Sequence, residues 1–177
     1  MNRTFSLNLS IIKQTHWLDP SLFLFTSDIA QQWLTEQGSL SELIKSRCGT
    51  FSVDLLESRW VEKDTLQPDE QNLLPSHDQY LIRQVILNAD GKPWVYGYSI
   101  IPKSTAVSAS RDLSSIGQLP LGEAIFRAEK VGRDELKVSE IIDTENKKLL
   151  VRRSRLWMED NPLLVTELFL SDAPIYS

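Results

Sequence analysis

The feature that most constrains the fold is a repeated pattern of two strand-like segments around a turn. Residues 80 to 101, YLIRQVILNADGKPWVYGYSII, place two apolar segments on either side of Asp90-Gly91. An Asp-Gly pair in this position is a strong hairpin signal, because both central residues of the tight turn need positive φ angles. The segment LKVSEIIDTENKKLLVRRSRLW repeats the arrangement with a longer polar turn. Strands joined in this way run antiparallel, so the chain is predicted to build an antiparallel sheet.

Two more segments extend the predicted sheet. Phe51, Val53 and Leu55 alternate with polar residues, which is the period of a half-buried strand. Near the end of the sequence, LLVTELFL follows an Asn-Pro turn and has the length and composition of a strand buried on both faces. Together with the two hairpins, these segments predict five or six strands.

Helix signals lie in the first third of the chain and between the two hairpins. Asp19-Pro20 suits a helix start, and the apolar residues that follow predict a helix that continues to Leu34. Ser39-Leu40-Ser41-Glu42 is a capping box that opens a second helix, and Pro120 opens a third. The predicted fold class is α+β, with a single antiparallel sheet of five to six strands.

Length, charge and cysteine content narrow the class of protein. A chain of 177 residues is expected to form one domain, residues 1–177, with enough buried surface to need no disulfide or metal. The net charge of −5 argues against a nucleic-acid partner and against anionic membrane surfaces. Cys48 is the only cysteine, which excludes an intramolecular disulfide and a zinc cluster. The sequence contains no signal-peptide core and no spanning segment, so a cytoplasmic protein is expected.

Two opposite charges lie on apolar faces of predicted strands. Strand parity places Glu167 on one face with Leu163, Val165 and Phe169, and it places Arg83 among apolar residues of its own strand. One interpretation is a buried salt bridge, or an arginine stem that reaches solvent at the sheet edge. The other is a ligand cavity on one face of the sheet, where an arginine grips a planar carboxylate through two hydrogen bonds. The pattern leaves both interpretations open.

The basic run VRRSRLW adds a further candidate. Arg153 and Arg155 share a face with Val151 and Trp157, whereas Arg152 lies on the other face. Such a run is usually a solvated face. Within it, Arg155 is the residue expected to reach a second anionic group of a ligand.

Motifs for metal or nucleophilic chemistry are absent from the sequence. His16 and His77 are isolated from each other and from any Ser or Cys in a recognisable catalytic motif. The sequence also lacks a phosphate loop, a dinucleotide-binding fingerprint and a nucleophile elbow. We therefore predict no metal site.

Several ordered motifs resemble the chorismate pyruvate-lyase family. The matching stretches are GSLSELI, YLIRQVILNADGKPWVYGYSIIP, LPLGEAIF, RRSRLW and PLLVTELFL. The resemblance implies one α+β domain whose helices cover one face of the sheet and form lids over an internal ligand cavity. It also implies a carbon–oxygen lyase that converts chorismate into 4-hydroxybenzoate and pyruvate without a cofactor. Synthesis of ubiquinone-type quinones is the usual destination of that product.

The resemblance also implies roles for particular residues. Arg83 corresponds to the family's contact to the ring carboxylate, and Glu167 corresponds to its contact to the ring hydroxyl. Leu40 and Leu121 correspond to main-chain contacts, and each begins a predicted helix, where free N–H groups suit an anion. Arg155 is assigned to the enolpyruvyl carboxylate. Glu167 is expected either to orient the C4 hydroxyl or to act as a base.

The alternative function is a non-catalytic domain that binds or senses a small aromatic carboxylate. A related fold serves as the effector-binding domain of bacterial transcription regulators. The N-terminal 50 residues are too short and not basic enough to supply the DNA-binding helix-turn-helix of such a regulator. The expected partners are therefore chorismate and 4-hydroxybenzoate, and the protein is expected to act as a monomer.

Overall fold

The computed structural model describes residues 9–108 and 112–177. Residues 1–8, which begin the segment searched for a targeting signal, lie outside the described residues. Residues 9–13 are helical. The helices with both ends inside the described residues are α1 (Asp28–Leu34), α2 (Leu40–Lys45), α3 (Pro68–Leu73), α4 (Lys103–Ala106) and α5 (Leu121–Ile125). The strands are β1 (Phe51–Glu62), β2 (Gln79–Ala89), β3 (Lys92–Pro102), β4 (Val131–Ile142), β5 (Lys148–Met158) and β6 (Asn161–Phe169). Four short 3-10 helices occur at Pro20–Leu22, Lys63–Thr65, Leu113–Ser115 and Pro174–Tyr176.

The strands form one six-stranded sheet in the order β1-β2-β3-β6-β5-β4. Every neighbouring pair is antiparallel. The sheet therefore consists of two three-stranded meanders, β1-β2-β3 and β4-β5-β6, which meet where β3 pairs with β6. The predicted α+β class with a single antiparallel sheet of five to six strands is confirmed. The prediction that residues 1–177 make one domain stays a prediction.

The first hairpin turns where its sequence predicted. Asp90 and Gly91 have φ angles of 51° and 77°, which is the left-handed region that the tight turn requires. The Asp90 carboxylate also accepts hydrogen bonds from the N–H groups of Gly49 and Thr50, at 2.9 and 2.8 Å. These bonds tie the turn to the start of β1.

Two serines decide where the first helices begin. The Ser39 hydroxyl accepts a hydrogen bond from the N–H of Glu42 at 3.4 Å, so α2 begins at the predicted capping box. The helix predicted from Pro20 to Leu34 is instead divided. Pro20–Leu22 forms only a 3-10 turn, and α1 begins after Ser27, whose hydroxyl accepts from the N–H of Ala30. The Ser27 cap was the signal that the longer helix prediction missed.

The two faces of the sheet bury different groups of residues. One face, called here the cavity face, carries Arg83, Val85, Val165 and Glu167, and it packs against α1, α2, α4 and α5. The opposite face packs against residues 9–17 and 66–74, which include α3. Within the described residues, no helix is long and apolar enough to cross a membrane.

Candidate functional site

A cavity lies between the cavity face of the sheet and the two short helices α2 and α5. The space between these walls that is free of protein atoms measures about 530 Å³, including the part that is open to solvent. The walls are mainly apolar, and the charged groups on them are few. The charged residues that line the cavity are Arg83, Arg133 and Glu167.

The floor of the cavity is built from two neighbouring rows of paired residues. In the first row, Arg83 of β2 pairs with Ser99 of β3, Ser99 pairs with Val165 of β6, and Val165 pairs with Ser154 of β5. This row therefore crosses the junction of the two meanders and carries a cation at one end.

The second row is parallel to the first and lies two residues away from it on each strand. Its members are Val85, Gly97, Glu167 and Arg152, paired in that order. A Cβ on Gly97 would lie only 3.0 Å from a methyl carbon of Val85, so glycine keeps this part of the floor open. Both sequence-predicted charges, Arg83 and Glu167, thus face one cavity from adjacent rows.

Arg83 reaches the cavity with part of its guanidinium unused. Its Nη2 donates to the carbonyl oxygens of Gly117 and Leu119, both at 2.8 Å, and these residues precede helix α5. Among the described residues, none accepts a hydrogen bond from Nε or Nη1 of Arg83, and none forms an ion pair with it. Burial lowers the pKa of Arg83 to about 10, so the side chain remains protonated at neutral pH. The unused donors are available to an anionic ligand.

Glu167 has a partner, and that partner is not Arg83. Nε of Arg152 donates to Oε2 of Glu167 at 2.8 Å, and Nη2 lies 3.5 Å from Oε1. Arg152 is fully buried, and its Nη1 also donates to the carbonyl oxygens of Trp33 and Glu36 at 3.1 and 2.9 Å. Glu167 is therefore a cavity-lining carboxylate held in a fixed orientation by an arginine beside it, which is covered by the C-terminal end of α1.

Leu40 and Leu121 lie on the opposite side of the cavity from the sheet. Each is the first residue of its helix, α2 or α5, and each lines the cavity. The N–H groups in the first turn of a helix have no partner within that helix. The two helices touch each other: Gly122 approaches Ser39 so closely that a Cβ would lie 3.1 Å from the Ser39 hydroxyl.

An ion pair joins the two helices at the cavity edge. Nζ of Lys45 in α2 lies 3.3 Å from Oε2 of Glu123 in α5. The other oxygen of Glu123 accepts from Arg127 at 2.6 Å. Because α2 and α5 cover the cavity, this ion pair links the two covering helices on their outer side.

Arg155 does not belong to this site, which corrects the expectation drawn from the basic run. Its position in β5 places it on the opposite face of the sheet from Glu167. There its Nε and Nη2 bind both oxygens of Asp134 at 2.8 Å, and its guanidinium lies 4.9 Å from the ring centre of Trp157. Its remaining contact is to the carbonyl oxygen of Leu73 at 3.0 Å.

The arginine that does line the cavity from the second meander is Arg133 of β4. No sequence signal pointed to it, since the predicted strand began only at Leu136. The pairing of β4 with β5 shifts between Asp134 and Lys137, and Glu135 has a φ angle of 52°. An irregularity of this kind breaks the alternation that strand parity relies on.

Metal ligands are not grouped in the part of the chain that the structure describes. No group of three or more His, Cys, Asp or Glu residues there is arranged to hold an ion.

Fold and cavity together define a class: antiparallel α+β domains with a cavity between one face of the sheet and short helices. Two solved structures share this fold. The effector domain of PhnF from Mycobacterium smegmatis aligns with a TM-score of 0.54 and 12% identity over 76% of this chain and 90% of that one. A GntR-family transcriptional regulator from Enterococcus faecalis aligns with a TM-score of 0.50 and 16% identity over 68% and 94%. At such identities the likeness concerns the fold alone.

Within this class the chain belongs to the chorismate lyase family, whose model matches residues 11–177. A Vibrio cholerae protein named "Probable chorismate pyruvate-lyase" is 46% identical over 100% of this chain and 98% of its own length. A Vibrio vulnificus protein of the same name is 45% identical over 100% and 98%. A "Chorismate pyruvate-lyase" of Hamiltonella defensa is 35% identical over 94% and 91%. The resemblance found in the sequence motifs is thereby confirmed.

Proposed function

We propose that the protein is a chorismate pyruvate-lyase, which eliminates pyruvate from chorismate and releases 4-hydroxybenzoate for the synthesis of ubiquinone-type quinones. Family membership over nearly the whole chain supports this class of reaction. The observation that carries the proposal is the presence of two opposite charges, Arg83 and Glu167, in adjacent rows of the cavity floor. Arg83 presents unused donors to the cavity, and Glu167 presents a carboxylate in the adjacent row.

In the proposed complex, Arg83 binds the ring carboxylate. A guanidinium has five N–H donors in a planar fork, and the two bonds from Nη2 to main-chain carbonyls leave enough donors for a carboxylate. The first-turn N–H groups of Leu40 and Leu121 add main-chain contacts from the opposite wall. Arg83 also donates to the segment before α5, so the side chain that binds the ligand also holds that segment in place.

Glu167 contacts the hydroxyl at C4 of the ring. Its carboxylate accepts hydrogen bonds from Arg152, and its two oxygens have the capacity to accept a further bond from a hydroxyl. A hydroxyl donated to this carboxylate fixes the orientation of C4 relative to the breaking bond at C3. The alternative role for Glu167 is that of a base that takes the proton from C4.

The reaction itself needs little chemical assistance. The C3–oxygen bond breaks, and its electron pair forms the carbonyl of pyruvate. The hydrogen leaves C4 as a proton, and the electron pair of that bond completes the aromatic ring. The methylene carbon of the enolpyruvyl group gains a proton to become the methyl of pyruvate. Because aromatisation supplies the driving force, the protein acts mainly by positioning the substrate and excluding water, and no metal or organic cofactor is required.

The proposal extends to the state of the protein. We propose a monomer in the cytoplasm with no nucleic-acid partner, in keeping with the net charge of −5. Light scattering of the purified chain tests the oligomeric state.

The decisive experiment incubates the purified protein with chorismate and measures both products. Equal amounts of 4-hydroxybenzoate and pyruvate are expected. The non-catalytic alternative, a domain that binds or senses an aromatic carboxylate, predicts binding of 4-hydroxybenzoate with no release of pyruvate. That result would replace the proposed function with the alternative.

A further inference from the structure

We propose that Arg133 binds the second carboxylate of the substrate, the one carried by the enolpyruvyl group. Arg133 would thus supply the contact that the sequence pattern assigned to Arg155. This inference rests on the proposed function, because chorismate has two carboxylates whereas its product 4-hydroxybenzoate has one.

The first argument is the position of the Arg133 side chain. Its Nη1 donates to the hydroxyl of Ser154 at 2.5 Å. Ser154 ends the row of paired residues that begins with Arg83 and runs through Ser99 and Val165. The guanidinium of Arg133 therefore lies at one end of this row, and Arg83 lies at the other.

The distance across the row suits a small ligand with an anion at each end. Three strand spacings of about 4.8 Å separate the backbones of Arg83 and Ser154, which makes roughly 14 Å. The Arg83 side chain occupies part of that distance from one end, and the Arg133 guanidinium occupies part of it from the other. Glu167 lies in the adjacent row, and its side chain lines the same cavity as those of Arg83 and Arg133.

The second argument is the number of donors that remain unused. Nε, Nη1 and Nη2 of Arg133 each donate once, to the carbonyl of Gln37, to Ser154 and to the carbonyl of Gly38. A guanidinium has five N–H groups, so two remain for a ligand. Among the described residues, none forms an ion pair with Arg133.

The third argument is the charge of the site. Of the three guanidinium groups at the cavity, only that of Arg152 has a carboxylate partner, Glu167. Arg83 and Arg133 remain as two cations without counter-ions in the described part of the chain. Burial and the neighbouring Arg152 lower the pKa of Arg133 to about 10, whereas Glu167 and Glu36 favour its charged form. The Glu36 carboxylate itself accepts a hydrogen bond from the N–H of Gly38. Two uncompensated cations match a ligand with two carboxylates.

A purely structural role is the competing account of Arg133. Its bonds to Gln37 and Gly38 hold the segment before α2. In this account, that segment positions the cavity wall for any ligand. The two accounts predict different responses to the two ligands. Loss of an anchor weakens chorismate and 4-hydroxybenzoate alike, whereas loss of a contact to the enolpyruvyl carboxylate weakens chorismate alone.

The test compares the full-length parental protein with Arg133→Met, Arg133→Lys and Ser154→Ala. The dissociation constant of 4-hydroxybenzoate is measured by calorimetry, and kcat/KM for chorismate is measured from product release. For Arg133→Met we expect kcat/KM to fall by about 10–100-fold, the range for a lost charge-assisted hydrogen bond. The dissociation constant of 4-hydroxybenzoate should change by less than about twofold, which is about 0.4 kcal/mol. The reason is that 4-hydroxybenzoate lacks the enolpyruvyl carboxylate.

The other variants keep the test decisive if Arg133→Met fails to fold. Arg133→Lys retains the charge but not the fork, so it should recover part of kcat/KM. Ser154→Ala removes only the hydroxyl that positions Arg133, and it should raise KM for chorismate without changing the affinity for 4-hydroxybenzoate. Arg155→Met is the matched control, an arginine of β5 on the opposite face, and it should behave like the parent.

Two results would overturn the assignment. One is a loss of 4-hydroxybenzoate affinity as large as the loss of kcat/KM, which would make Arg133 an anchor of the segment before α2. The other is an unchanged kcat/KM in the folded Arg133 variants. A parental protein that binds chorismate without turnover would instead refute the proposed function. In that case the dissociation constants of chorismate, compared across the same variants, still decide the role of Arg133.

Discussion

Glu167 and Arg152 face each other across β5 and β6 with Nε and Oε2 2.8 Å apart, and Arg152 is fully buried on the same face of the sheet. This relationship resolves the two interpretations of a carboxylate on an apolar strand face. Glu167 is both a partner in a buried ion pair and a residue that lines the cavity. Stability and function therefore depend on the same side chain.

Glu167→Gln should lower both stability and activity. The amide keeps one acceptor for Arg152 but removes the charge, so the free energy of unfolding should fall by about 2 kcal/mol, within the range for hydrogen bonds to charged groups. At this chain length the Tm should fall by roughly 4–8 °C. The kcat/KM of the folded variant should fall at least about 100-fold, as for other positioned acid–base groups.

Calorimetric melting and product release measure the two effects separately. Glu140→Gln is the control, since Glu140 pairs with Lys148 at the surface of β4 and β5, 3.7 Å away. An unchanged Tm would mean that the pair with Arg152 does not stabilise the fold. An unchanged kcat/KM in Glu167→Gln would show that Glu167 has no role in the reaction.

Arg83→Ala should weaken the binding of 4-hydroxybenzoate by about 2–5 kcal/mol, the range for truncating one member of a buried charge pair. Arg83→Lys should recover little, because one ammonium cannot serve two main-chain carbonyls and a carboxylate in the geometry of the fork. Titration calorimetry at neutral pH measures both. Arg59→Ala, at a half-exposed arginine of β1, provides the control. Parental affinity in the alanine variant would exclude Arg83 as the carboxylate ligand.

Glu123→Gln should speed the release of 4-hydroxybenzoate. The change removes the ion pair between Lys45 and Glu123 that joins α2 to α5. Partly exposed pairs contribute about 0.2–1 kcal/mol, so the dissociation rate should rise by at most about fivefold. Stopped-flow displacement measures this rate. Glu145→Gln, which removes a surface pair with Lys147, should have no effect.

Salt offers a second test of the same pair. Exposed charges are screened within about 3 Å at 1 M salt. The dissociation rate of the parental protein should therefore approach that of Glu123→Gln as salt is added. A difference between the two proteins that persists at high salt would contradict an electrostatic origin.

Lyase activity should survive exhaustive treatment with EDTA. The elimination needs no electron sink, since the aromatic ring that forms supplies the driving force. Turnover is measured before and after chelation and dialysis. Loss of activity that a divalent ion restores would count against the cofactor-free reaction.

The local signals in the sequence predicted the sheet well. Asp90-Gly91 and the capping box at Ser39 specify a turn and a helix start through the backbone geometry of a few neighbouring residues. The alternation around Arg83 and Glu167 likewise specified the face on which each charge lies. Such features depend only on residues close together in the chain, which is why sequence reasoning reached them.

Contacts between strands were beyond the same reasoning. Parity states which face a residue occupies, but it does not say which strand lies beside it, so the pairing of Glu167 with Arg152 was missed. Arg155 was assigned to the site because parity within its own strand does not show which face lies beside Glu167. The register of β5 against β6 places Arg155 on the opposite face. Arg133 was missed because the irregular pairing near Glu135 removes the alternation that would mark its strand.

The sheet order also has a consequence for synthesis of the chain on the ribosome. The last strand to be made, β6, inserts between β3 and β5 and joins the two meanders. Arg83 belongs to the first meander, and Glu167 belongs to β6 itself. A nascent chain that ends before residue 169 can form each hairpin from local contacts, but it lacks the strand that unites them. The binding site should therefore arise in a single late step, so truncated chains should neither bind chorismate nor compete with the finished protein for it.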